Sequence, residues 1–375
     1  MKHILIIASH GPSLINFRLS LIKKLLSRGH KVSVASPIDE FSDNLQKELR
    51  DLGIDINIFK LSRQGLNFLE DCKSLLEIYK IIRNIKPNVI ISYTAKPVIY
   101  TGLVLKFFKK ISYYPLITGL GYAFSEGNSI KLKILKYLMI ELYRESLKSS
   151  AKIIFQNKDD QSLFFKLKIV KKMNLTSIVN GSGVDLNSYP LRSLPSKPIF
   201  LMIARLLVDK GVREYVEAAK IVRANFSSVK FQLIGGLDQN PTGISARELQ
   251  SWINQGDIEY LGHMKSVQSA LKFCKYFVLP SYYREGTPRS TLEALATGRP
   301  VITTDAPGCR ETVVHEKNGL LIPIKDSIAL ANAMIRLLKE KDENINKMAH
   351  ESYLIAKKKY EINKVNQSML DIMSL

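Results

Sequence analysis

Residues 281–305 read SYYREGTPRSTLEALATGRPVITTD, and this stretch decides the fold. An apolar strand ends just before it, at Pro280. The loop Glu285-Gly286-Thr287-Pro288 follows. Thr287 is a good helix N-cap, and Pro288 suits the first helical position, where its missing N–H is not needed. Leu292, Leu295 and Ala296 give that helix a buried face, Gly298 ends it, and Val301 begins the next strand. Strand, loop, helix and strand in this order are the unit of a parallel sheet. The same order leaves the N–H groups of a helix end just beyond a strand end, where they can hold phosphate or sugar oxygens.

The alternation continues outward. Residues 199–204, 231–235, 258–261 and 276–280 read as strands, and 212–223 as a helix. In the first half, 4–9, 31–36, 54–59 and 89–93 read as strands; 17–27, 44–51 and 72–85 read as helices. NSYPLRSLPSKP, residues 187–198, carries three prolines and no periodicity, which marks a linker. The expected fold class is α/β: two doubly wound Rossmann-like domains, 1–186 and 199–375, facing a cleft. The last helix is free to pack back on the first domain. Ligands of such sheets bind at the carboxyl ends of the strands, so the cleft is the expected site.

A chain of 375 residues, 46% hydrophobic and 24% charged, fits two globular domains and excludes disorder, collagen and coiled coil. No apolar run approaches the roughly 18 residues that span a bilayer. The apolar opening, residues 4–8, is too short for a signal sequence. Three scattered cysteines form no C-x-x-C pair and point to a reducing, cytoplasmic compartment. The net charge is +21. Residues 1–180 hold 29 basic and 14 acidic side chains, a surplus of 15, so the excess lies in the first half. It implies an anionic partner there, although a basic surface that merely aids solubility would give the same count.

Several chemistries lose support. G-x-G-x-x-G and G-x-x-x-x-G-K-[ST] are absent, which disfavours dinucleotide oxidoreduction and P-loop phosphoryl transfer. No D-x-D, H-E-x-x-H or Cys/His cluster offers a metal site, and no cofactor is expected. Two carboxylates remain around the helix start, Glu285 in the loop and Glu293 eight residues on. Each carboxylate can accept from a pair of sugar hydroxyls. As a bare pair they would read as a loop charge and a solvated helix residue. The strand–loop–helix setting, with Gly286 and Pro288 between them, favours a ligand role. Arg205 ends the strand at 199–204, and Lys210 precedes the next helix. An arginine fork with a lysine ammonium matches a diphosphate, although either alone could be a surface cation.

Glu285-x7-Glu293, Arg205-x4-Lys210 and Asn318-Gly319-Leu320-Leu321 together resemble the retaining nucleotide-sugar glycosyltransferases of family 4, which have the GT-B fold. The resemblance covers essentially the whole chain. It implies that Glu285 contacts the donor sugar, that Glu293 contacts the ribose, and that Arg205 and Lys210 bind the diphosphate and stabilise it as leaving group. It further implies donor contacts from the amides of Gly286, Thr287, Pro288 and Arg289, a base pocket at Gly235, Gly236, His263 and Met264, and a phosphate-facing loop at Ser9-His10-Gly11. The first domain resembles bacterial enzymes that extend lipid-linked surface saccharides, through Thr94-Ala95-Lys96-Pro97 and Thr118-Gly119-Leu120-Gly121-Tyr122. His10, Lys96, Thr118, Gly119 and Gly121 are its acceptor or cleft residues. Many family members have a cleft histidine where this sequence has Lys96, and Gly119 and Gly121 would equally form a tight turn.

The resemblance implies a UDP-sugar donor carrying a hexose or N-acetylhexosamine, with N-acetylhexosamine favoured, and a polyprenyl-diphosphate-linked saccharide acceptor. Transfer would need no metal. Residues 130–148 place Ile134, Leu138 and Leu142 in one row and Leu135, Met139 and Tyr143 in the next, beside Lys133, Lys136, Arg144 and Lys148. With Lys106, Phe107, Phe108, Lys109 and Lys110, they suggest a peripheral site on the anionic inner face of the cytoplasmic membrane. Packing of the same rows on the domain core is the competing expectation. A UDP-sugar 2-epimerase and a basic nucleic-acid-binding protein are the rival functions. The first lacks support from the Glu-x7-Glu setting, and the second lacks any binding motif.

Overall fold

The computed structural model describes all residues except 38–42, 63–66, 125–128, 239 and 241. The chain divides into two compact units, Met1–Ser182 with Asn363–Leu375, and Gly183–Ile362.

The first unit is built on seven parallel strands: β1 (His3–Ile7), β2 (Lys31–Pro37), β3 (Asp55–Phe59), β4 (Val89–Tyr93), β5 (Ser112–Ile117), β6 (Ile153–Phe155) and β7 (Thr176–Ile178). Their order is β3-β2-β1-β4-β5-β6-β7. Strands β1 and β4 lie at the centre, with Ile4 beside Val89 and Ile6 beside Ile91. Apart from His3 and the buried Ser92 both are apolar, because helices cover both faces of a parallel sheet. One face carries α1 (Leu19–Ser27) and α2 (Asp43–Asp51). The other carries α3 (Phe68–Ile85), α4 (Ala95–Val104), α5 (Ile130–Ser146) and α6 (Lys158–Lys166). Helix α3 starts four residues earlier than its spacing indicates, because Asn67 caps it by accepting from the Glu70 N–H.

The second unit has six parallel strands: β8 (Ile199–Ile203), β9 (Lys230–Ile234), β10 (Glu259–Tyr260), β11 (Tyr276–Leu279), β12 (Val301–Thr304) and β13 (Gly319–Ile322), ordered β10-β9-β8-β11-β12-β13. Its helices are α7 (Val212–Arg223), α8 (Ala246–Asn254), α9 (Gln268–Phe273), α10 (Arg289–Ala296), α11 (Ser327–Lys339) and α12 (Asp342–Ile355). In each unit the strand order reverses beside the first strand, at β1/β4 and at β8/β11. This reversal is the switch point where doubly wound sheets bind ligands.

One boundary differs from the sequence reading. Residues 187–198 are not a free linker. Arg299, fully buried, donates from Nη2 to the carbonyls of Arg192 and Ser193, and the Arg192 N–H reaches the Thr297 carbonyl. This stretch is therefore part of the second unit. The last helix, α13 (Ile362–Met373), sends Val365, Met369, Leu370 and Met373 into the interior, where Met369, Leu370 and Met373 join the cluster of Ile4, Ile6, Leu21 and Ile22.

Helix α5 resolves the two apolar rows. Leu132, Met139 and Tyr143 are buried in the first unit. Ile130, Ile134, Tyr137 and Leu138 face outward, with exposures of 75, 63, 67 and 38%. Phe107 is 78% exposed beside Lys106, while Phe108 packs on Tyr79.

Candidate active site

In the second unit the candidate residues gather at the carboxyl ends of β8, β9 and β11. Strand β8 runs into Ala204-Arg205, and a single turn, Val208–Lys210, leads to Gly211 and α7. Gly211 has φ 78°, and a Cβ there would stand 2.2 Å from the Pro280 carbonyl oxygen. A side chain would therefore push the β8 and β11 loops apart. The close approach carries Lys210 to Glu285: its Nζ lies 2.6 Å from Oε1, with both side chains only 11–12% exposed. Ser281 Oγ donates to the same carboxylate oxygen at 2.8 Å. The N–H groups of Tyr282 and Tyr283 both donate to the Asp209 carbonyl, at 2.9 and 2.8 Å, which fixes the loop carrying Glu285.

Arg205 pairs with Asp238, Nη1 to Oδ2 at 2.8 Å. Its guanidinium carbon is 5.8 Å from the centre of the Tyr283 ring, and Lys210 Nζ is 5.3 Å from the same ring. The two cations proposed for one diphosphate thus share one aromatic ring. Asp238 and Tyr283 were not singled out in the sequence. A tyrosine two residues before Glu285 was the available signal for the second, whereas the Asp238 pair spans 33 residues and leaves no local trace.

Gly235 and Gly236 end β9. A Cβ on Gly235 would lie 1.8 Å from the Ala204 carbonyl oxygen, and one on Gly236 would meet the His263 ring at 3.8 Å. The Gly235 N–H donates to the Gly262 carbonyl at 3.0 Å. The expected base pocket residues Gly235, Gly236 and His263 therefore do converge, and Met264 follows His263 half-buried.

The helix start differs by one residue. Pro288, with ψ 118°, occupies the cap position, and Arg289 is the first helical residue of α10, so Thr287 is not the cap. Gly286 and Glu285 are braced from behind by Gly308, whose missing Cβ would come within 2.6–2.7 Å of their carbonyl oxygens. Glu293 is 7% exposed and accepts from Arg289 Nε at 2.8 Å, with Tyr189 as a further partner. Burial raises its pKa above the ordinary glutamate value, and Arg289 and Tyr189 oppose this. It is an inward residue with fixed partners, not a solvated helix charge.

In the first unit the candidates sit at the ends of β1, β4 and β5. His10 and Gly11 follow β1, and the N–H of Leu14 closes back on the Gly11 carbonyl at 3.0 Å. Thr94 follows β4 with φ 69°, a conformation that strains a β-branched residue. Its hydroxyl donates to Ser9 Oγ at 2.7 Å. Lys96 does not stand alone: its Nζ meets Asp71 Oδ1 at 2.9 Å, both about 15% exposed. Thr118 leads into Gly119 and Gly121, both at positive φ, and the Phe124 N–H bonds the Gly121 carbonyl, so the tight turn is present. Among the described residues, no group of three or more His, Cys, Asp or Glu side chains could hold a metal ion.

The chain matches two family descriptions, "Glycosyl transferase 4-like" over residues 3–157 and "Glycosyl transferases group 1" over residues 197–340. It is 30% identical to N,N'-diacetylbacillosaminyl-diphospho-undecaprenol alpha-1,3-N-acetylgalactosaminyltransferase of Campylobacter jejuni, over 90% of this chain and 89% of that one. It is 26% identical to UDP-Gal:alpha-D-GlcNAc-diphosphoundecaprenol alpha-1,3-galactosyltransferase of Escherichia coli, over 75% of this chain and 74% of that one. Among solved structures, Anabaena HepE in complex with UDP superposes with a TM-score of 0.77 at 18% identity, covering all of both chains.

Proposed function

This chain belongs to the GT-B glycosyltransferases of the family 4 type, and from that premise we propose its reaction. It moves a hexose or N-acetylhexosamine, with the N-acetylated sugar favoured, from a UDP-sugar to a polyprenyl-diphosphate-linked saccharide. Configuration at the transferred carbon is retained, and neither metal nor cofactor takes part. The observation that carries the reading is the pairing of Arg205 and Lys210 over one tyrosine ring at the switch point of the second sheet. Two cations brought together there suit the diphosphate of a nucleotide donor. The names of the Campylobacter jejuni and Escherichia coli relatives support the lipid-diphosphate acceptor.

In the reaction the bond between the sugar's anomeric carbon and the diphosphate oxygen breaks, and a bond to the acceptor hydroxyl oxygen forms on the same face. The acceptor's proton passes to the departing phosphate oxygen. Negative charge grows on the diphosphate as it leaves, and preorganised cations stabilise it without rearranging. Glu285, held by Lys210 and Ser281, presents its carboxylate to sugar hydroxyls. Glu293 is the ribose contact. Lys96, His10, Thr118, Gly119 and Gly121 belong to the acceptor side. Such an enzyme works peripherally on the anionic inner face of the cytoplasmic membrane. No helix among the described residues is long and apolar enough to cross a bilayer, and the outward apolar row of α5 with Phe107 is the docking face.

A panel of UDP-sugars against short lipid-diphosphate-linked saccharides, with mass detection of product and chelator in half the wells, tests this reading. One UDP-sugar should extend the acceptor equally with and without chelator. Epimerised donor in the absence of acceptor would instead favour the 2-epimerase.

A further inference from the structure

The two cations at the diphosphate site are held in opposite ways. Lys210 and Glu285 are both deeply covered. Arg205 is half exposed, and its partner Asp238 is 17% exposed. Asp238 has a second anchor, because its Oδ1 accepts from the Asn240 N–H at 2.9 Å. The loop behind it is zipped to β8's continuation, with the Leu206 N–H on the Gly236 carbonyl at 3.0 Å. The Asp238 carboxylate therefore keeps its place without Arg205. Arg205 likewise has a second support in Tyr283, whose ring centre lies 5.8 Å from the guanidinium carbon.

We propose that Asp238 is a resident counter-anion for Arg205, displaced when the donor's diphosphate arrives, and that Tyr283 is the positioning residue on which Arg205 pivots. The proposal rests on the donor reading above. Arg205 is half exposed and its contact with Asp238 is monodentate, so water screens the pair and a phosphate can take the place of the carboxylate. A guanidinium offers five N–H donors in a planar fork, suited to bidentate phosphate contact. The aromatic face favours a cation at either stage of the exchange and keeps Arg205 near Lys210 throughout. Asp238 therefore competes with the donor and lowers the affinity of the site for anions. In the absence of donor it gives Arg205 a counter-charge of its own, as Glu285 does for Lys210.

The test compares binding of UDP and of uridine by calorimetry at low and high salt, using the full chain. Asp238→Asn keeps the acceptor for the Asn240 N–H and removes only the charge. It should tighten UDP binding by about three- to fivefold, the range expected for an exposed ion pair, and leave uridine unchanged. The gain should shrink at high salt. Tyr283→Phe should hold UDP within about twofold of the parent, whereas Tyr283→Leu should weaken it by about fivefold or more, again sparing uridine. Unchanged or weaker UDP binding in Asp238→Asn, with the parent binding UDP normally, overturns the counter-anion while leaving the donor reading intact. Equal loss of UDP and uridine in both Tyr283 variants assigns that residue to loop structure alone. A parent that binds uridine but gains nothing from the diphosphate overturns the donor reading and this proposal with it.

Discussion

The two sheets share an address and differ in chemistry. Both reverse strand order beside their first strand, and both gather their candidate residues there. In the second unit the ends of β8 and β11 carry ion pairs, Arg205–Asp238 and Lys210–Glu285, set over a tyrosine. In the first unit the ends of β1 and β4 carry mainly hydroxyls, Thr94 donating to Ser9 and Ser13 lying 2.7 Å from Tyr93, together with the ion pair Lys96–Asp71 and the Arg18 guanidinium 4.9 Å from the centre of the Tyr93 ring. Topology fixes where a ligand sits, and the side chains at the strand ends fix which ligand it is. Fixed cations suit a charged leaving group, whereas hydroxyls suit a sugar.

This contrast breaks most visibly at the cations. Arg205→Ala or Lys210→Ala should each lower turnover by roughly 100- to 1,000-fold, because one preorganised contact to developing charge contributes about 3–4 kcal/mol. Near-parental turnover in both variants, measured with saturating donor, would remove the second unit's claim to the chemistry.

The backbone under those cations comes next. Gly211→Ala must put a methyl group against the Pro280 carbonyl at a left-handed φ. It should lower stability by about 2–4 kcal/mol, read as a fall in the chemical-denaturation midpoint. An unchanged midpoint would mean that the β8 and β11 loops are not held by this contact.

On the first unit the expected effects are smaller. Lys96→Met should reduce kcat/KM for acceptor by about tenfold, as for loss of one charged hydrogen bond, with UDP affinity retained. A matching loss of UDP affinity would erase the division of labour between the sheets. Charge reversal of Lys106, Lys109 and Lys110 to Glu should release the protein from anionic vesicles in sedimentation, each cation being worth about 1 kcal/mol near such a surface. Equal sedimentation of variant and parent would move docking to α5 alone.

The smallest expected effect has the opposite sign. The folded-state pKa of Glu293 is raised, chiefly by burial, so its ionised form is disfavoured in the folded chain. A raised carboxyl pKa gives stability that is present at low pH and lost as pH climbs through the ordinary glutamate range and above it. Glu293→Gln should therefore raise the thermal midpoint slightly at neutral pH while impairing donor use, and the gain should vanish in acid. A lower midpoint at neutral pH would show that its pairing with Arg289 outweighs its burial.

The strands were legible because a parallel strand buried on both faces must be an apolar run, as 4–8 and 89–93 are. The helix start at α10 was legible to within one residue. Thr287 and Pro288 both suit a helix start, and nothing local says that Pro288 would take the extended ψ of a cap. The prolines of 187–198 signal irregular backbone, and irregular backbone need not be loose. The buried Arg299 that ties it down lies 107 residues away from Arg192. For the same reason the cations are visible in the sequence and their pairings are not. Glu285 and Lys210 were each visible, but their pairing, like that of Arg205 with Asp238, exists only after the loops meet. Helix α5 offered two apolar rows, and sequence alone does not say which one faces the core.

The last helix reverses the order in which the molecule can be assembled. Residues 183–362 are contiguous and have the whole of their sheet as soon as they are made. The first unit's sheet emerges earlier, yet its cluster around Ile4 and Ile6 stays open until Met369 and Leu370 arrive. Its closure joins segments more than 360 residues apart, a long-range contact of the slowest kind. During synthesis the unit made first is therefore completed last. Until then the apolar groove that α13 fills has nothing of its own chain to cover it.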